Sequence, residues 1–103
     1  MDRIEKLKAF LVQNQADSFV QHALALEYVK LNTDEEAKEL FQTILVRDEK
    51  YIGSYYHLAK LLERMGKSEE AIAWYEKGMK MAKEVGDNHA YNELQGAYED
   101  LVY

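Results

Sequence analysis

An all-α fold follows from three features of this chain. Its apolar residues recur at helical spacing, as in Leu58, Ala59, Leu62 and Met65. They do so again in Ala71, Trp74, Tyr75, Gly78 and Met79, after a Gly66-Lys67-Ser68 break. The sequence contains no Pro and only five Gly, which suits helices because Pro would break them and Gly closes them. It also repeats itself. Leu58, Ala59, Glu69, Glu70 and Ala71 are preceded, 34 residues earlier, by the identical Leu24, Ala25, Glu35, Glu36 and Ala37, and aromatic Tyr75 by Phe41.

Length and composition limit the classes open to it. At 103 residues the chain is expected to form one domain over 1–103, burying roughly two-thirds of its unfolded surface without staples. The lack of Cys, with no apolar leader after Met-Asp-Arg-Ile-Glu-Lys, points to a reducing, cytoplasmic setting. The longest uninterrupted apolar runs, such as Ala23 to Leu26, fall far short of the ~20 residues a membrane helix needs. Net charge is −6, and Lys is interspersed with Glu instead of forming a stripe that could track phosphates, so nucleic acid is not an expected partner.

Taken in order, the periodicity predicts helices over about 2–14, 18–31, 34–48, 52–65, 68–85 and 88–102. The first presents Ile4, Leu7, Phe10 and Leu11 as its apolar face and is capped by Asp2. In the second, capped by Asp17 or Ser18, the buried face is Leu24, Ala25, Tyr28 and Leu31. Small Ala25, like Ala59, lets a neighbouring helix come close. Asn32 and Gly66 occupy equivalent positions where a left-handed residue can end a helix. Thr33 to Glu36 reads as a capping box, with the Thr33 hydroxyl accepting an amide and Glu36 reaching back. The third helix then buries Ala37, Leu40, Phe41, Ile44 and Leu45, and Ser68 is expected to start the fifth as Thr33 starts the third. Gly86-Asp87 ends one helix and caps the next. A two-residue shift in the count puts Tyr91, Leu94 and Tyr98 where Tyr55, Leu58 and Leu62 stood, and Asn88, Asn92, Gln95 and Glu99 give the last helix a polar side. Tyr28, Tyr55, Tyr75, Tyr91 and Tyr98 read as packing residues whose hydroxyls sit hydrated at the rim.

A 34-residue helix-turn-helix period resembles the tetratricopeptide repeat family. The resemblance implies a right-handed superhelix of six antiparallel helices: a half repeat, two full repeats and a closing half repeat. The chain departs from the family pattern in three places. Gln21 and Tyr55 stand where a large aromatic is usual, Ile44 and Gly78 where a small residue is usual, and Glu49 and Lys83 where Pro is usual. The closing Gly-Asp-x-His-Ala-x-x-Glu-Leu-Gln run at 86–95 is similar to that of small stand-alone bacterial members, which implies a bacterial source and no assigned activity.

The same resemblance implies that the first helix of each unit lines a concave groove. Projected there are Phe19, His22, Leu26 and Val29, then Tyr56, Lys60, Glu63 and Arg64, then His89, Asn92 and Glu99. Phe19, Leu26 and Val29 make the second helix apolar on two sides, which means double-sided burial or an adhesive surface. Some family members hold a C-terminal carboxylate with Lys and Asn on successive first helices. Here the matching residues are His22 and Leu26, and Lys60 and Arg64 supply charge only in the next unit, so that clamp is not carried over. His22, His57 and His89 occur once per first helix, but without Cys or an i, i+4 His pair no metal or other cofactor is expected. Asp34-Glu35-Glu36 and Glu69-Glu70 lie in solvated first turns, and no phosphate loop, metal helix or nucleophile elbow is present, so catalysis is not expected. The expected function is a non-catalytic adaptor that binds a peptide or protein segment in the groove. The alternative is a self-associating homodimer through Trp74, Leu40, Val102 and Tyr103.

Overall fold

A computed structural model describes residues 2–103 as six α-helices: α1 (Arg3–Gln13), α2 (Ser18–Lys30), α3 (Asp34–Arg47), α4 (Gly53–Arg64), α5 (Ser68–Val85) and α6 (Asn88–Val102). No strand occurs among those residues. Each helix packs on the next in the chain, and α2 also touches α4 as α4 touches α6. The first helices of successive units thus form one wall and the second helices the other.

Local chemistry sets the helix starts. Asp2, Asp17 and Asp87 each cap a helix by accepting the amide three residues on, at 2.8, 3.1 and 3.0 Å. Three of the helix ends share one design. Asn32, Gly66 and Gly86 have φ of 60, 77 and 76°, and the next residue's amide reaches back to the carbonyls of Tyr28, Leu62 and Ala82. That left-handed closure satisfies carbonyls the helix cannot pair internally.

This closure also overturns the expected capping boxes. Thr33 makes no cap bond; its hydroxyl instead donates to the Tyr28 carbonyl at 3.0 Å, the same oxygen its own amide reaches. Once Asn32 turns left-handed, Thr33 is folded over the end of α2 and faces backwards. Ser68 does not cap α5 either, because Lys67 takes Thr33's place in the register and Ser68 is already helical.

The core is built from the repeated positions. Ala25 and Ala59, Ala37 and Ala71, Phe41 and Tyr75 are all fully buried, as are Ile44, Leu45, Tyr55, Leu58 and Leu62. At Gly78 the backbone of α5 approaches so closely that a Cβ there would lie 2.7 Å from Tyr55 Cβ and 3.1 Å from Leu94 Cδ1. Two apolar expectations are corrected. Leu31 is exposed, because it falls in the turn after α2 and not on its inner face. The face of α1 is only partly covered, with Phe10 49% exposed, because α1 packs on α2 alone.

The tyrosine hydroxyls do not all stay hydrated at the rim. Tyr55 donates to the Glu49 carbonyl at 2.6 Å, and Tyr75 donates to the Glu63 carboxylate. Both rings are fully buried, so each hydroxyl needs a protein acceptor to offset its lost water.

Candidate functional site

The wall made by α2, α4 and α6 carries the residues projected to it, but it divides them into separate groups. Phe19, His22, Leu26 and Val29 line one groove of about 560 Å³ on α2, which His57 of α4 closes on one side. Arg3, Glu27 and Lys30 border it, and Glu27 holds both cations, Lys30 at 2.9 Å and Arg3 at 3.7 Å. The groove is therefore apolar along its floor, with one net positive charge at its edge. Phe19 is 72% exposed at one end, whereas Leu26 and Val29 are half-buried against the core.

Tyr56, Lys60, Glu63 and Arg64 form the next group, and three of the four are already engaged. Glu63 accepts the Tyr75 hydroxyl and lies 3.7 Å from Lys60. Arg64 pairs with Asp34 and donates to the Val29 carbonyl at 3.1 Å, so it fastens the end of α4 to the α2–α3 turn. What remains open to a partner is Tyr56, with the Lys60 ammonium 5.9 Å from its ring centre. His89 and Asn92 lie exposed on α6 outside the α2 groove, with His89 Nε2 4.0 Å from Glu93.

His57 was left out of the projected groove and belongs in it. His22 and His57 are 35 residues apart, one off the repeat, so parallel first helices bring them side by side. Their ring centres are 5.4 Å apart with planes at 68°. His22 also packs against Phe41 and Tyr51, and its Nδ1 pairs with the Ser54 hydroxyl at 2.8 Å. Burial, with a smaller effect of His57, lowers the pKa of His22 to about 4. Burial of its packed face lowers His57 as well, against an opposing pull from Glu93. Both imidazoles are neutral near pH 7 and extend the apolar floor. Among the described residues no three His, Cys, Asp or Glu converge as a metal site. The outer face of α3 has a depression of similar size lined by Glu39, Gln42, Thr43, Val46 and Arg47, but it belongs to one helix and gathers no groups from another.

Stacked helical hairpins whose first helices form a concave wall define a class, the α-helical repeat module. Residues 52–85 match the tetratricopeptide repeat pattern. A tetratricopeptide repeat domain protein from Salinibacter ruber is similar in its solution structure, with 37% identity and a TM-score of 0.81 over 84% of this chain and 87% of that one. The crystal structure of a Salinibacter ruber tetratricopeptide repeat domain protein gives 38% identity and 0.79 over 82% and 94%. A Bordetella parapertussis protein gives 25% identity and 0.84 over 98% and 88%. No curated protein matches. The chain belongs to the tetratricopeptide repeat family. Such folds generally serve as protein–protein interaction modules and are typically non-catalytic.

Proposed function

We propose that this protein is an adaptor that holds a segment of another protein along the wall of α2 and α4. The observation that carries the reading is the α2 groove: its floor of Phe19, Leu26 and Val29 is left uncovered by α1 and α4, and its two bordering cations, Arg3 and Lys30, are both held by Glu27. A floor of that kind favours an apolar stretch over a C-terminal carboxylate, which needs unpaired cations. Tyr56 and Lys60 extend the surface along α4 and offer one aromatic face and a lysine paired with Glu63 to the same segment. The absence of Cys fits the cytoplasmic location we infer.

Capture from the native cell with the wild type and with Phe19→Ala, Tyr56→Ala, Lys60→Ala combined tests this. Aromatic anchors dominate such interfaces, so the triple variant, shown to be folded by its melting curve, is expected to retain less than about a tenth of the partner. Equal capture by both proteins refutes the groove. A second reading, a homodimer through Leu40, Trp74, Val102 and Tyr103, draws on Tyr103 being 95% exposed. Light scattering that stays monomeric across concentration removes it.

A further inference from the structure

Two ring systems on different repeats meet at the start of the groove, and the contact stands apart from the rest of the α2–α4 seam. Ser54 is fully buried, and its hydroxyl has His22 Nδ1 as its side-chain partner, so the bond ties α4 to α2 directly. His57 lies edge-on to His22 and is stacked on Phe41 at 6.3 Å with planes 10° apart. In the neutral ring Nδ1 either accepts from or donates to Ser54, according to the tautomer, whereas in the charged ring it can only donate, so protonation removes one of the two arrangements of the bond. A charged His57, on the surface beside half-buried His22, adds like-charge repulsion.

We propose that the His22–His57 contact is an acid-sensitive latch between the two complete repeats, closed while both rings are neutral and released when the pair takes up protons. The neighbouring groups do little to hold a charged pair in place. On the side of α1 and α2, Arg3 and Lys30 are cations already held by Glu27. Arg47 of α3 is committed to Ser18 and Gln21, at 2.9 and 2.7 Å. Asp17 and Asp48 act on Tyr51, which packs on His22. From α4 come Tyr56 and Ser54, and from α6 Glu93 acts on His57 alone. His57 therefore protonates first, and His22, with no carboxylate of its own, follows at lower pH.

The sign is that of a base whose folded pKa is depressed: its contribution is present above the ordinary imidazole value and is lost as pH falls towards 4. The test is an NMR titration of the three histidines between pH 7.5 and 4, with amide exchange and melting curves on the wild type, His57→Gln and His22→Gln. Three results are expected. His22 should titrate well below the ordinary imidazole value. Exchange at Ser54 to Leu58 should accelerate in acid before that of α5 and α6. His57→Gln should lose about 5 °C less of its melting temperature between pH 7 and pH 4.5 than the wild type does. His57 is on the surface, so its variant keeps the test sound if His22→Gln does not fold. His22 titrating at the ordinary imidazole value, an acid loss unchanged in His57→Gln, or α5 and α6 loosening first would each overturn the latch.

Discussion

The two complete hairpins, α2–α3 and α4–α5, fill equivalent interfaces with opposite combinations of residues. In α4–α5 the position is taken by Tyr55, fully buried, with Gly78 opposite it and the phenol bonded to the Glu49 carbonyl. In α2–α3 the same places hold Gln21 and Ile44, and Gln21 bonds Arg47 and the Gln15 carbonyl at 2.7 and 3.1 Å. One hairpin is sealed by a large ring against bare backbone, the other by a polar clasp beside a branched aliphatic. Read singly, Gln21, Ile44 and Gly78 are departures from a repeat pattern. Read as pairs, they are two ways to fill one volume, and a change in either partner calls for a change in the other.

The largest test of that contrast truncates both residues. Tyr55→Ala removes a buried ring and is expected to cost about 4 kcal/mol, whereas Gln21→Ala removes one bonded amide and should cost about 1–2 kcal/mol. Urea unfolding of the two variants measures the difference, and equal losses would break the comparison. Next in size is Gly78→Ala. A methyl added 2.7 Å from Tyr55 Cβ overpacks the seam, and about 1–3 kcal/mol of strain outweighs the ~1 kcal/mol that Ala gains over Gly in a helix. Gly96, with nothing within 4 Å of a Cβ, is the control: the same substitution there should stabilise the protein slightly. A stabilised Gly78→Ala would mean that Tyr55 yields and that the two residues are not a pair.

The smallest effect is alkaline. Burial and the Glu49 charge push the Tyr55 phenol up to about 12, and burial with the Glu63 bond raises Tyr75 further. A raised folded pKa means that the contribution is complete below pH 10 and is lost as pH climbs from 10 towards 12. Phe41 and Gln21 hold the matching places in α2–α3 and carry no phenol. Hydrogen exchange followed upward from pH 9 should therefore find α4–α5 loosening before α2–α3, and the reverse order would contradict the assignment.

What could be read from the sequence was whatever repeats or acts locally. Periodicity was enough for the six helices, and Asp2, Asp17 and Asp87 could be named as caps because a cap's partner lies three residues away. Thr33 was misread because the same residue types serve two geometries, and the choice is made by the left-handed Asn32 before it. Glu63 and Arg64 seemed unclaimed by the repeat, yet one holds Tyr75 and the other Asp34 and Val29. Those partners lie 12, 30 and 35 residues away, at distances no spacing rule reports. His57 was the nearest miss, since its offset from His22 was visible but its orientation toward α2 was not.

Arg64 bears on how the proposed latch would open. It fastens the far ends of α2 and α4, while His22 and Ser54 fasten their near ends. The guanidinium keeps its charge at any pH a protein meets, whereas the imidazole does not. If the latch releases, two helices still pinned at the Arg64 end would part most beside Phe19 and least beside Val29. A segment lying along the groove would be peeled from its Phe19 end first, so the position of an anchoring side chain along that segment would govern how readily acid frees it.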